Sequence, residues 1–317
     1  MIKKPYGQKR LIGFFEKALS EGSLNHAYII EGDTGSGKKT IARYFAALSL
    51  CKNENACGKC PQCAQTEAGV NPDITVIGPG DKASVGVDQI RDAISTVSYR
   101  ALHGGRKVYI IESADLLTVQ AQNSLLKVIE EPPKDVIFFL LCNKKSQLLQ
   151  TIVSRSQVLK LSPLSKEELS LIFPEANDFQ LTYANGNPGK LIKICEDAGF
   201  KKFRDDTAEI IGRFFENKNK CLYDLADFFE QNKDLKEDVF NIFLYMLQDV
   251  MFKKINLHKK IVNSDKKDII DKISQNTTSA SCIKAIEAIL EAQQGMGKFA
   301  NYNLAIENML VQIAKAM

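Results

Sequence analysis

Residues 32–40, GDTGSGKKT, constrain this chain more than any other segment. They follow the apolar run AYIIE and precede KTIARYFAALSL, whose apolar residues return at helical spacing. A strand must therefore end, turn on glycines and re-enter as a helix within a few residues. That is the layout of a phosphate-binding loop, G-x-x-x-x-G-K-[ST]. Its glycines let backbone N–H groups cradle phosphates, its lysine reaches the β- and γ-phosphates, and its hydroxyl holds Mg²⁺. Gly32, Gly35, Gly37 and Lys38 fit, but Lys39 stands at the hydroxyl position. Thr40 comes one residue late, roughly 100° further round the helix. An ammonium cannot coordinate Mg²⁺, and it adds positive charge where the metal should sit. Two expectations follow: a working nucleotidase, or a chain that keeps the fold without the reaction.

The rest of the first half alternates short apolar runs with amphipathic stretches. AYIIEG (27–32), DITVIGP (73–79), KVYIIES (107–113), DVIFFLLCN (135–143) and SQVLKLSP (156–163) read as strands. DQIRDAISTVSYRA and VQAQNSLLKVIEE, with apolar residues three and four apart, read as helices between them. Such alternation predicts an α/β domain with a parallel sheet covered on both faces. The glycine loop after the first strand then marks its phosphate end. Beyond Pro163 strand signals stop, and the pattern predicts an all-α remainder. Residues 1–163 are expected to form the P-loop domain, 164–203 a small helical lid, and 204–317 a helical domain. The amphipathic helices of that last part need partners for their apolar stripes.

A length of 317 residues has room for these domains, and 44% apolar with 25% charged residues suits a globular chain. The longest apolar runs, such as VIFFLLC, are too short to span a bilayer. No apolar stretch of a signal peptide stands behind MIKKPYGQKR, so the expected location is the cytoplasm, with no membrane partner. The net charge of +4 comes from interspersed lysines and acids, the pattern of a solvated surface. Whether Lys82, Arg91, Arg100 or Arg106 touches DNA is left open by the residues themselves.

Four of the eight cysteines, Cys51, Cys57, Cys60 and Cys63, lie in one short loop spaced C-x5-C-x2-C-x2-C. Four thiolates with Gly58 and Pro61 as turn formers match a tetrahedral zinc site with no open coordination position, hence a structural one. Disulfide pairing and an iron–sulfur cluster are the competing readings. A reducing compartment argues against the first, and nothing else in the chain suggests electron transfer. Cys142, Cys195, Cys221 and Cys282 stand alone and read as buried apolar side chains.

Taken together, Gly7-Gln8, LNHAYIIEGDTGSGKKT (24–40), the cysteine quartet, HGGRKVYIIESADLLTVQAQNSLLKVIEEPP (103–133), NKKSQLLQTIVSRSQ (143–157) and GNPGK (186–190) resemble the clamp-loader branch of the AAA+ ATPases. The match is specific over the first 200 residues or so and weaker beyond. Within that branch the chain is most like the delta-prime class of bacterial DNA polymerase III subunits, with the gamma/tau class next. The resemblance implies an AAA+ domain with a zinc-binding insertion, a helical lid and a C-terminal oligomerisation collar.

In this family the strand corresponding to KVYIIES ends in Asp-Glu, to orient Mg²⁺ and to prepare the attacking water. Glu112 and Ser113 stand there, and a serine cannot serve as the general base. Asp115 is displaced by two residues and reads as a helix cap. Asn143 matches the polar sensor of the γ-phosphate, and Gly189 takes the place of the second sensor's arginine, with Lys190 beside it. The implied nucleotide site, Gly32, Gly35, Gly37, Lys38, Lys39, Thr40, Glu112 and Asn143, is thus degraded, with ATP or ADP bound there or the loop serving only as a turn.

Arg155 in Ser154-Arg155-Ser156 matches the family's trans arginine finger, which reaches a neighbour's γ-phosphate; a surface ion pair is the plainer alternative. The implied function is that of a largely non-catalytic stator in the replicative clamp loader. Its partners would be the delta and gamma/tau subunits and, through the complex, the sliding clamp and primed DNA. An ATP-hydrolysing motor of the gamma/tau type is the alternative, opposed by Lys39 and Ser113. A free-standing zinc-dependent DNA-binding module is a third, weakened by a quartet whose basic residues are only Lys52 and Lys59 with no aromatic platform nearby.

Overall fold

The computed structural model describes residues 4–53, 55–80, 84–102, 105–296 and 301–317. Lys82 and the His103-Gly104 pair lie outside the described residues. Two compact units are present: Met1–Ala176 with Ala184–Ile192, and Asn177–Tyr183 with Lys193–Met317.

The first unit is built on five parallel strands, β1 (Ala27–Glu31), β2 (Ile74–Ile77), β3 (Lys107–Ile111), β4 (Val136–Cys142) and β5 (Gln157–Lys160), in the order β2-β3-β4-β1-β5. All five fall on the predicted segments. Helices α1 (Lys9–Ser20), α2 (Lys38–Leu50), α3 (Pro61–Ala68), α4 (Val87–Ser95), α5 (Val119–Glu130), α6 (Gln150–Ser154) and α7 (Lys166–Ile172) accompany them.

Side chains alternate across each strand, so neighbouring residues serve two different cores. Tyr28, Ile30, Phe139 and Leu141 face α1 and α2, where they pack with Phe15 and Phe45. The Phe15 and Phe45 rings stack with centroids 4.1 Å apart. Ala27, Ile29, Phe138 and Leu140 face the opposite way and pack with Ile90, Leu125 and Ile152 of α4, α5 and α6. Burial on both faces is why these strands are continuously apolar rather than alternating.

Two helical readings need correction. α4 stops at Ser95, whereas the sequence pattern carries it through Ala101. The Thr96 hydroxyl lies 2.7 Å from the Ala93 carbonyl, which it takes as an acceptor, and 2.9 Å from the Tyr109 hydroxyl. The β-branched Thr96 and Val97 thus close the helix with local side-chain bonds. α1 went unnoticed in the sequence, although Ile12, Phe15 and Leu19 form its buried stripe.

Helices α8 (Asp178–Ala184) and α9 (Pro188–Glu196) each contribute to both units. The second unit also holds α10 (Ala198–Glu216), α11 (Lys218–Gln231), α12 (Lys236–Lys254), α13 (Lys267–Gln275), α14 (Ser279–Met296) and α15 (Tyr302–Ala316). Its core is aromatic, with Phe214, Phe215, Phe229, Phe240 and Phe243 fully buried.

A buried polar network ties this unit's loop to its helices. The Arg204 guanidinium lies 3.9 Å from the Phe179 ring centroid and donates to both carboxylate oxygens of Asp265 at 2.7 and 2.8 Å, and to Asn263 Oδ1 at 2.8 Å. Asp249, fully buried, accepts from the Val262 and Asn263 backbone N–H groups and from Asn263 Nδ2. Hydrogen bonding from Arg204 holds the Asp265 carboxyl below its usual value, whereas burial pushes Asp249 up. The Asp265 contribution is therefore fully present above the ordinary aspartate pKa and fades as the pH falls through the folded value.

No helix of the described residues is long and apolar enough to cross a membrane. Of the four lone cysteines, Cys142 and Cys282 are buried as expected, but Cys195 and Cys221 are only half-buried.

Asp265→Ala leaves the Arg204 guanidinium with Asn263 and the Phe179 ring but without its carboxylate. It is expected to lower the unfolding free energy of this unit by about 3 kcal/mol in urea melts at neutral pH, the low end for a broken buried pair. The difference should shrink below about pH 4, where the ordinary aspartate protonates.

Candidate nucleotide site and cysteine cluster

The loop leaves β1 at Glu31 and enters α2 through Gly37, whose φ of 93° lies in the left-handed region. Gly35 has φ 85°. Gly32 N–H still donates to the Cys142 carbonyl, 3.1 Å away, so the sheet ladder runs right up to the loop. Lys38 folds back over it. Its Nζ donates to the Gly32 carbonyl at 2.6 Å, the Asp33 carbonyl at 2.9 Å and Asn143 Oδ1 at 3.0 Å. Burial pulls the Lys38 ammonium below its ordinary pKa, with Asp115, Cys142 and Asp33 acting in the opposite direction.

Lys39 is the decisive residue. Its Nζ sits 2.6 Å from Glu112 Oε1, at the carboxyl end of β3. The side chain at the hydroxyl position and the acid that would face Mg²⁺ are thus bonded to each other. At about 4 Å and an effective dielectric constant near 20, an ammonium and a divalent cation repel by roughly 8 kcal/mol. Lys39 is half-exposed, so solvent screens part of that. The donor set still does not fit Mg²⁺, because Glu112 is paired with the cation that replaces the hydroxyl and the other carboxylate, Asp115, is engaged by Asn143. Thr40, exposed on the next turn, is not among the residues lining this cavity.

Ser113 follows Glu112 with φ 52°, an uncommon conformation for a residue with a side chain. Asp115 is not a helix cap. Thr118 caps α5, its hydroxyl accepting from Ala121 N–H. The Asp115 carboxylate instead accepts from the Asn143 backbone N–H at 3.1 Å and from Asn143 Nδ2 at 2.9 Å. It thereby aims Asn143 Oδ1 at Lys38 and at the Thr34 hydroxyl, 3.2 Å away. Nothing in the linear spacing of Asp115 and Asn143 announces this pair.

Gly189 lies against the loop. Its N–H donates to the Gly35 carbonyl at 2.9 Å, and Asn187 Nδ2 donates to the Thr34 carbonyl at 2.8 Å. A Cβ on Gly189 would stand 2.6 Å from Gly35 Cα, and one on Gly35 would stand 2.6 Å from Asn187 Oδ1. The segment expected to take the second sensor's place is a backbone buttress for the loop.

Cys51 ends α2 and Cys60 begins α3, with Pro61 in its first turn. The four sulfur atoms of Cys51, Cys57, Cys60 and Cys63 all lie within 4.8 Å of one another. Cys60 Sγ and Cys51 Sγ are 4.0 Å apart, far beyond a disulfide bond and close to the ~3.8 Å edge of a tetrahedron with metal–sulfur bonds of ~2.3 Å. All four thiols are free. Burial opposes ionisation of Cys51, but backbone N–H groups from Cys57, Asn55 and Asn53 outweigh it and bring its pKa down to about 6. Burial pushes Cys63 the other way. The cluster could hold a metal, pinning the end of α2 to the start of α3.

Arg155 terminates α6. Its Nη2 lies 3.1 Å from Glu130 Oε1, and its Nη1 donates to the Thr151 carbonyl at 3.3 Å. The side chain remains 43% exposed, on the surface rather than in the cavity around Lys38. Of the open basic candidates for DNA contact, Arg106 donates to the Ser49 carbonyl at 3.3 Å and Arg91 pairs loosely with Asp88.

The chain is similar to known proteins over most of its length. The family described as "DNA polymerase III, delta subunit" matches residues 7–165, and its C-terminal counterpart matches residues 201–315. The chain belongs to the DNA polymerase III delta-subunit family. The DNA polymerase III subunit delta' of Bacillus subtilis is 27% identical over 96% of this chain and 96% of its own length. The subunit delta' of Pseudomonas aeruginosa is 38% identical over 51% of this chain and 53% of its own. The subunit tau of Escherichia coli is 33% identical over 51% of this chain but 26% of its own. The expected resemblance, delta-prime first and gamma/tau next, is borne out. So is the predicted α/β fold followed by a helical domain. Two features of this delta-family chain, the Asp115–Asn143 pair and the Gly35–Gly189 contact, were not legible in its sequence, since each joins residues distant along the chain.

Gly189→Ala must displace the Gly35 backbone. It is expected to cost about 1–3 kcal/mol and to lower the melting temperature by roughly 5 °C in scanning calorimetry. Gly295→Ala, whose added Cβ would meet nothing within 4 Å, serves as the control and should not lower it.

Proposed function

We propose that this chain is a stator-like, delta-prime-type subunit of the bacterial replicative clamp loader, which loads the sliding clamp onto primed DNA. The observation that carries the reading is the 2.6 Å pair between Lys39 and Glu112. It removes both metal-facing groups from use, while Ser113 supplies no general base. Phosphoryl transfer depends on positioning and electrostatics, so these losses compound. The functional division runs from the AAA+ domain (1–163) through the lid (164–203) to the collar (204–317). Its partners are the delta and gamma/tau subunits.

Arg155 is the group that acts on ATP, in trans. Its exposed pair with Glu130 is worth well under about 1 kcal/mol, so the guanidinium is readily given up to a neighbour's γ-phosphate. The cysteine cluster holds one structural zinc ion, whose tetrahedral Cys₄ preference suits four converging sulfur atoms. When bound, zinc supplies a fixed cross-link and no chemistry.

Two measurements test these assignments. The isolated chain is expected to hydrolyse no ATP. In the reconstituted complex, Arg155→Ala should slow turnover at the one adjoining site by on the order of 10³ while the subunits still assemble. Robust turnover by the chain alone, abolished by Lys38→Ala, would overturn the stator reading. Elemental analysis of the purified chain should find one zinc per molecule, lost in Cys60→Ser together with thermal stability. Iron in its place, or no metal, would reject the zinc assignment.

A further inference from the structure

Two cavities meet at the loop in the first unit. One, of about 310 Å³, is polar and lined by Thr34, Lys38, Lys39, Glu112, Ser113 and Asn143, among others. The other, of about 350 Å³, lies against Ser36, Gly37 and Thr40 and is walled largely by apolar residues such as Tyr6, Ile41, Leu164, Leu171, Pro188 and Ile192. A charged compartment and a greasy one, both lined by Gly37, suit a ligand that is anionic at one end and aromatic at the other. The polar compartment carries two ammonium groups and two carboxylates; Glu112 is already paired with Lys39, and Asp115 is engaged by the Asn143 backbone and side-chain N–H groups. Ordinary P-loops have one lysine and borrow the second positive charge from Mg²⁺.

We infer that Lys39 is a built-in replacement for the divalent cation, so that this site takes a nucleoside di- or triphosphate as the metal-free anion. The inference rests on reading the loop as a disarmed nucleotide site, and it adds how that site is charged. Lys38 releases the Gly32 and Asp33 carbonyls and turns to the phosphates, held in range by Asn143. Lys39 stays anchored on Glu112 and lends its remaining donors to the phosphate oxygens. Mg²⁺ has no seat there, and nucleotide already complexed with Mg²⁺ arrives with two charges fewer for the lysines to meet. Binding therefore weakens as Mg²⁺ is added, opposite to a hydrolytic P-loop. The bound nucleotide is retained intact, since Ser113 stands where the general base would be.

The test is isothermal titration of the full chain with ADP and ATP, once in EDTA and once in excess Mg²⁺. Wild-type protein is expected to bind in EDTA and to lose at least about tenfold in affinity with Mg²⁺, RT ln 10 being about 1.4 kcal/mol. Lys39→Thr, which restores the hydroxyl and frees Glu112, should reverse the order and bind more tightly with Mg²⁺. Lys39→Met, which keeps the bulk without the charge, should lose binding in EDTA. Wild-type binding that requires Mg²⁺, or no binding of either nucleotide in EDTA, overturns the inference even if Lys39→Thr proves too unstable to assay. Neither result touches the stator reading, which stands or falls on hydrolysis by the isolated chain and on Arg155 in the complex.

Discussion

The pairing of β1 with β4 is the constraint on which the site depends. Ala27 through Glu31 register against Phe138 through Cys142, and β3 pairs on the other side of β4. Because the three strands are parallel and in register, their carboxyl ends finish side by side. Gly32, Glu112 and Asn143, scattered over more than a hundred positions of chain, emerge on one edge. Two opposed apolar cores hold the register, since a slip by one residue would exchange Tyr28 and Ile30 with Ala27 and Ile29 between faces. The site is a by-product of that packing, so its scaffold does not depend on which side chains stand at its edge.

Charge then decides what the scaffold does. A P-loop normally concentrates negative charge from phosphate and acids and positive charge from one lysine and a metal. Here Lys39 and Glu112 cancel internally, Lys38 satisfies itself on backbone carbonyls, and Asp115 is occupied in holding Asn143. Lys38, Glu112 and Asn143 thus each meet a partner within the chain, while Ser36 Oγ and Asp115 Oδ1 are left without a hydrogen bond. Arg155 is a strong cation near the surface on an adjustable pair. An arginine suits that role because its charge does not titrate and its planar fork meets phosphate oxygens two at a time.

Much of this was legible in the residues. The five strands could be read because strands buried on both faces write long apolar runs, and the cysteine quartet because its ligands are local. The substitution at Lys39 and the missing acid at Ser113 could each be seen, but not that Lys39 and Glu112 meet, since 2.6 Å in space corresponds to no spacing in sequence. Asp115 reads as a cap because acids often cap helices; only the fold shows Thr118 doing that job. The end of α4 was misjudged because Thr96 chose a local hydroxyl bond over another turn. Arg204 drew no notice, since a buried guanidinium looks like any surface arginine until its carboxylate, 61 residues away, is found.

The backbone contact between Gly35 and Gly189 decides which positions of the site can change one at a time. Single substitutions could return a hydroxyl at position 39 or a carboxylate at position 113, since both face an open cavity. A sensing arginine at position 189 is different, because any side chain there strikes the loop it would have to serve. Once two backbones have closed over the space of a side chain, that position is reserved for glycine unless one of them moves.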